Sequence, residues 1–194
     1  MIQTKKDIRE YLLQDAKANE RTGIRPRFLL DHNWRFILCL RKCQYDYRAN
    51  RTKLQHLAET PIRLFHLLKF QHLSIKLGFS IGILVFEKGL SIPHYGTIVV
   101  NSKAKIGENC RILPGVTIGY YGKDAQSATI GNNVYIGTGA KILGAVTIAD
   151  NVVIGANAVV TRDILEPGTT WAGSPAKKIS DSGSQGLLSP MLFS

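Results

Sequence analysis

The chain of 194 residues is short of several things that would place it quickly. It has three cysteines, Cys39, Cys43 and Cys110, too few for a disulfide framework. Cys39 and Cys43 are one helical turn apart and lack a second pair, so packing is expected of them and no metal. The longest apolar run, Leu77–Phe86, has ten residues, about half of what a helix needs to cross a bilayer core of ~30 Å. The opening Met1–Glu10 is polar and charged, unlike a secretory signal, and the expected location is cytoplasmic. Residues 1–77 hold no glycine-rich phosphate loop, which excludes a nucleotidyltransferase with a leading nucleotide-binding domain. Histidine is scarce as well. His32, His56, His66 and His72 precede residue 78, and His94 alone follows it. A zinc hydratase built on three histidines is thereby excluded from the second half.

Charge is one-sided. The net charge is +11 at pH 7, with 17 Lys/Arg against 8 Asp/Glu in residues 1–90 and 8 against 6 in residues 91–194. The surplus therefore belongs to the N-terminal part. It points to an anionic neighbour there, a phosphate-bearing ligand or an acidic membrane surface at the inner face, or else to solvated helical faces. Nucleic acid is not among the expected partners.

What the sequence has in abundance is a period. Counting in sixes from Val100 gives Ile106, Ile112, Ile118, Asp124, Ile130, Ile136, Ile142, Ile148, Ile154 and Val160. Asp124 is the single exception to Ile or Val. Four residues after each anchor stands a second small or apolar residue, among them Ala104, Cys110, Val116, Val134, Ala140, Val146, Val152, Ala158 and Ile164. Gly107, Asn109, Gly131, Asn133, Gly137, Gly155 and Asn157 fall between, where tight corners ask for residues that tolerate positive φ. Such a repeat specifies a parallel β-helix: each hexad is a short strand and a corner, and three hexads close a triangular coil. Each buried Ile or Val supplies roughly 1.5–3 kcal/mol, so the core arises from stacking and no coil stands alone.

The N-terminal part reads as helices. Thr4 and Asp7 form a capping-box pattern before the stripe Ile8, Tyr11, Leu12 and Ala16, and Gly23 and Pro26 end the run. A second helix is expected from Phe28 to Tyr47 around Trp34, Ile37, Leu38 and Leu40. Thr60–Pro61 reads as the start of a third, with Leu64, Leu67, Leu68 and Phe70 as its apolar face. The expected organisation is a helical region over 1–77 that covers the open end of the coil, a β-helix over 78–180, and a flexible Gly/Ser-rich tail over 181–194.

One residue of the coil has the right chemistry for proton transfer. His94 lies in Leu90–Val100, LSIPHYGTIVV, where eight positions separate Ile92 from Val100 and the rhythm of six breaks. Pro93 and Gly96 shape the backbone on either side. Histidine is the side chain whose charge changes most readily near neutral pH, so His94 is the candidate general base. A second interruption, GYYGKDAQSAT from Gly119 to Thr129, has the polar anchor Asp124 and reads as a loop leaving the coil.

The strings IPHYGTIVVNSKAKIGENCRILPGVTIG, IGTGAKILGAVTI and WAGSPAKKI resemble the serine acetyltransferase branch of the hexapeptide-repeat acyltransferases over about residues 78–180. The resemblance implies a left-handed β-helix, a homotrimer, and acetyl-CoA bound between two subunits. It places His94 on the catalytic histidine, which takes the acceptor's hydroxyl proton. It also implies cofactor contacts from the backbone at Ala140 and Ala158 and from the closing turn with Gly173, Pro175, Lys177 and Lys178. The loop would reach over the cleft, making Tyr120, Tyr121 and Asp124 candidates for acceptor contacts.

The chain departs from that pattern in three places. Pro93 stands where the serine enzymes carry an aspartate, Gln126 and Ser127 where they carry an Arg-His pair, and Phe79 and Ser80 where they carry the acid that orients the histidine. A zwitterionic acceptor needs charged partners. The sequence is therefore expected to act on a sugar hydroxyl, in the manner of the capsule and exopolysaccharide O-acetyltransferases. Serine O-acetylation and a non-enzymatic trimeric scaffold are the alternatives.

Overall fold

The computed structural model describes residues 2–27, 31–49, 53–120 and 126–193, and within 53–58 the backbone alone. Three helices come first: α1 (Lys5–Ala18), α2 (His32–Arg48) and α3 (Lys53–Leu77). The capping box of α1 forms as expected. Thr4 Oγ1 accepts the Asp7 N–H at 3.1 Å, and Asp7 Oδ2 accepts from the N–H groups of Thr4 and Gln3, both at 2.9 Å. The expected start of the second helix at Phe28 lies outside the described residues.

The third helix corrects two expectations. It begins by Lys53 and carries Pro61 in its interior, not at its first turn. The carbonyl four residues before a proline loses its donor, a loss that an exposed stretch tolerates because water can replace it. The buried apolar residues of α3 are Phe70, Leu73 and Leu77, whereas Leu64, Leu67 and Leu68 are exposed. Among the described side chains of α3, those of its C-terminal half pack into the core. It ends at Gly78, whose φ of +78° is the left-handed conformation that glycine adopts without penalty.

From Phe79 onward the chain winds as a left-handed parallel β-helix. One face stacks Phe79–Ile81, Ile98–Val100, Thr117–Gly119, Lys141–Leu143 and Val159–Val160. A second stacks Lys105–Ile106, Thr129–Ile130 and Thr147–Ile148. The third stacks Arg111–Ile112, Tyr135–Ile136, Val153–Ile154 and Thr170–Ala172, closed by antiparallel Lys177–Ser180. Every Ile or Val anchor from Val100 to Val160 is buried to 3% exposure or less, and so are most of the residues four positions later. The columns fuse with Phe36, Leu40, Phe70 and Leu73 of the helices into one core.

Register locates the excursion. Val99 pairs with Thr117 and Lys141 with Val159, both 18 residues apart, but Thr117 pairs with Lys141, 24 apart. The difference, 24 − 18 = 6, is one hexad expelled between Gly119 and Thr129. The anchors on either side stay in phase because the insertion is a whole repeat. Tyr121 and Asp124 lie outside the described residues.

The corners divide the labour that the sequence assigned to them jointly. Asn109, Asn133 and Asn157 adopt positive φ as expected. Gly107, Gly131, Gly137 and Gly155 do not; what they supply is room. A Cβ on Gly131 would stand 2.2 Å from Asp150 Oδ1 and 2.9 Å from the Asp150 nitrogen. Successive coils therefore touch at these glycines.

Helices and coil are joined by a polar cluster that the sequence pattern did not reveal. Arg41 and Asp15 form a bidentate pair at 2.8 and 2.9 Å, both fully buried. Arg41 also donates to the carbonyls of Phe86 and Glu87 and to Gln44 Oε1. Asp15 Oδ1 accepts the N–H groups of Gly89 and Leu90. Tyr11 donates to Glu87, and this bond together with burial pushes its phenol well above the usual range. The cluster fixes the irregular coil 83–90 that leads to His94.

The segment expected to be a flexible tail is folded. Two 3-10 turns, Ser184–Leu187 and Pro190–Leu192, return toward the coil and α1. Ser184 and Ser189 are buried, and the Ser184 N–H bonds the Asn151 carbonyl. The Ser184 hydroxyl donates to the Asn133 carbonyl and anchors the segment to the coil. No helix among the described residues is long and apolar enough to cross a membrane.

Candidate active site

The broken rhythm around His94 has a structural cause. Ser91 bridges to Arg111 on the third face, and Ile98 begins the strand on the first face. The residues between turn this edge of the prism with two more positions than a regular corner uses. Gly96 donates its N–H to the Leu77 carbonyl, tying the corner to the end of α3. A Cβ on Gly96 would meet Pro114 Cβ at 3.0 Å, which explains the glycine there. His94 projects from this corner into solvent, and its ring has no hydrogen-bond partner among the described residues.

The same edge collects other expected site residues. Its corners are laced by N–H to carbonyl bonds from Gly115 to Thr97, Gly139 to Pro114 and Asn157 to Thr138. Ala140 and Ala158 end two of these corners, and Gly173 begins the last, its carbonyl accepting from the Val159 N–H at 2.9 Å. His94, Ala140, Ala158 and Gly173 therefore share one edge. Ala140 and Ala158 themselves are fully buried. Their amides bond within the corner to Gly137 and Gly155, and their carbonyls accept from Thr117 and Lys141 of neighbouring coils. They are interior residues, and the surface of this edge belongs to the residues that precede them in each corner.

Tyr120 lies elsewhere. It follows Thr117–Gly119, so the width of one face, about 10 Å for a three-residue strand, separates its edge from that of His94. It is exposed.

The closing turn holds a cavity of about 520 Å³ lined by Arg162, Trp171, Pro175, Ala176, Lys177 and Lys178 among others. Lys178, expected as a cofactor contact, is ion-paired within the chain. Asp181 and Glu166, each 2.5 Å from its Nζ, hold its ammonium above the usual lysine range. Lys177 and Arg162 have no ion-pair partner among the described residues. Arg162, which the sequence pattern did not single out, also lines a neighbouring cavity of about 850 Å³ with Leu143, Gly144 and Asp163. These two cations, with an apolar wall beside them, fit a phosphate-bearing chain better than the Lys177–Lys178 pair does.

Of the two positions where an orienting acid was missing, Phe79 belongs to the core and Ser80 faces outward and is exposed. Phe79 is 3% exposed and sits edge-on to Phe36 at 5.0 Å, while Phe36 stacks on Phe70 at 5.3 Å, so a carboxylate at Phe79 itself would have no place. The cysteines Cys39, Cys43 and Cys110 are all buried; burial pushes the Cys110 thiol up to about 12.

Comparison with known proteins agrees with the repeat. Residues 127–162 match the family described as bacterial transferase hexapeptide (six repeats), and the chain carries that repeat. A serine acetyltransferase from Helicobacter pylori is 45% identical over 95 residues, which make up 48% of this chain and 55% of that protein. The match thus spans little more than half of that relative. The crystal structure of serine acetyltransferase from Brucella abortus superposes over 93% of this chain and 72% of that one, with a TM-score of 0.72 at 23% identity, a likeness of fold. Soybean serine acetyltransferase complexed with serine superposes over 90% of this chain and 70% of its own, with a TM-score of 0.67 at 27% identity.

Proposed function

We propose that the chain is an acetyl-CoA-dependent O-acetyltransferase with His94 as its general base and the hydroxyl of L-serine as its acceptor. The observation that carries the reading is His94 itself: a solvent-facing imidazole, without a hydrogen-bond partner among the described residues, at a corner where the rhythm of six breaks. The imidazole takes the proton of the acceptor hydroxyl as that oxygen attacks the thioester carbonyl carbon. When the carbon–sulfur bond breaks, the imidazolium returns the proton to the departing thiolate, leaving an O-acetyl ester and free CoA. The chain neither gains nor loses a proton over the cycle.

The acceptor differs from the sugar hydroxyl that the sequence led us to expect. That expectation rested on the absence of charged residues at Pro93, Gln126 and Ser127, and nothing in the comparisons supports polysaccharide biosynthesis. The proteins reported above are all serine acetyltransferases. A homotrimer belongs to the same proposal. His94 and Tyr120 occupy different edges of one prism, and a neighbouring chain would set the two edges across one cleft. Arg162 and Lys177 then supply point charges for the phosphates of CoA.

The basic surplus of residues 1–90, together with exposed Ile62, Leu64, Phe65 and Leu68 on α3, supports contact of the helices with an anionic membrane at its cytoplasmic face. Salt-sensitive flotation with acidic but not neutral liposomes checks that point.

The test of the reaction is release of CoA thiol with L-serine and, separately, with a panel of mono- and oligosaccharides. Turnover with serine well above the panel is the expected result. Turnover confined to saccharides would restore the sugar reading, and none with any acceptor would leave a scaffold.

A further inference from the structure

Beside the His94 corner, between the end of α1, the start of α2 and the third face of the coil, lies a cavity of about 220 Å³. Pro93, bonded directly to His94, forms part of its wall. Its polar lining includes Glu20, Arg21, Asp31, Asn33, Ser91 and Arg111. Asn33 Nδ2 donates to the Ile92 carbonyl, which joins α2 to the strand entering the corner.

Arg21 is held in place. Its Nη2 donates to Asp31 Oδ2 at 2.7 Å and to the Arg25 carbonyl at 3.1 Å, and its guanidinium lies 4.7 Å over the Trp34 ring. Although it is 8% exposed, its Nε has no partner. The Ser91 hydroxyl, on a residue 3% exposed, has none either. Arg111 goes further, because its side chain has no hydrogen bond or ion pair among the described residues, and its Nε is buried. Of seven buried side-chain atoms without a partner among the described residues, three belong to this one small cavity. Buried polar groups are nearly always satisfied in native proteins, so these atoms offer their bonding capacity to water or to a polar guest.

We infer that this cavity receives the head group of the acceptor, a small hydroxy amino acid, with Arg111 and Arg21 taking its carboxylate and Glu20 its ammonium. A guanidinium presents a planar fork that matches a carboxylate. Charges of both signs suit a zwitterion better than a neutral polyol or a polyanion. The volume lies below the ~300–1,000 Å³ of pockets that hold drug-sized ligands and suits a small head group. The inference rests on the proposed acetyl transfer and answers its main difficulty. The charged groups missing at Pro93, Gln126 and Ser127 are supplied by Arg111, Arg21 and Glu20 from other parts of the chain.

The test is equilibrium binding by calorimetry on the full chain, without acetyl-CoA, using L-serine, L-serinamide and glycerol as probes. Wild type, Arg111→Gln and Arg111→Lys are compared, with circular dichroism and thermal melting to establish that each is folded. Serine should bind at least tenfold more tightly than serinamide or glycerol. Arg111→Gln should weaken serine at least tenfold and leave serinamide unchanged, and Arg111→Lys should recover part of the loss. In turnover the same change should raise KM for serine far more than it lowers kcat. Equal binding of serine and serinamide, serine binding indifferent to Arg111→Gln, or no serine binding at all would overturn the inference. Serine binding without acetyl transfer would reject the reaction and keep the pocket. Transfer that ignores Arg111→Gln would reject the pocket and keep the reaction.

Discussion

The helices and the coil of this protein are held together by different means. In the coil, two inward side chains per hexad, the anchor and the residue four positions later, do nearly all the work, and any column position resembles its neighbours above and below. In the helices, stability is concentrated in unique pairings, above all Arg41 with Asp15. Repetition tolerates local change because the load is shared. A single buried ion pair concentrates the load, because removing either partner strands the other's charge.

Arg41→Ala should give the largest loss of stability, about 3–5 kcal/mol, since Asp15 would remain buried and charged without its fork. Chemical denaturation of the full chain measures it; a loss below about 1 kcal/mol would mean that water reaches Asp15 and the cluster is not a lock. In the coil, Ile112→Ala, Ile136→Ala and Ile154→Ala should each cost about 2–5 kcal/mol and agree closely with one another. A wide spread among the three would break the contrast drawn above. Cysteine chemistry comes next: Cys39, Cys43 and Cys110 should be silent to an aromatic disulfide reagent in the native protein and react together once it is unfolded. A fast-reacting thiol in the native state would show that the seam between α2 and α3 opens.

The smallest effect belongs to the cap of α1. The N–H groups of Gln3 and Thr4 hold the Asp7 carboxyl below its ordinary value. A carboxyl lowered by folding stabilises the native state above its unfolded value, and that contribution disappears as pH falls through the folded value. Asp7→Asn should therefore lower the Tm slightly at neutral pH and narrow the gap to wild type in acid. A gap that widens on acidification would contradict the capping geometry.

The coil was legible because its physics is periodic. Ile106, Ile130 and Ile148 face inward for the same reason, and a count of six finds them all. The capping box was legible because it is local, Thr4 and Asp7 being one turn apart. Arg41 was not, since its partners Asp15, Phe86 and Glu87 are far away in sequence and nothing about an arginine in a helix announces burial. The apolar face of α3 was misjudged for a related reason: leucines at helical spacing show that a face exists, while contact with the coil decides which part of it is covered. In the site, His94 stood out as the lone histidine at a broken corner. Arg111 did not, because it occupies an ordinary outward position of its strand and becomes distinctive only when α1 and α2 wall it in.

The most direct test of the account is turnover of acetyl-CoA and L-serine by His94→Ala beside wild type, with folding and oligomeric state monitored in both. The account requires a loss of about 10²–10⁴-fold, the usual worth of a positioned general base, with the fold and assembly unchanged. A folded, assembled His94→Ala protein that turns over at the wild-type rate would contradict it.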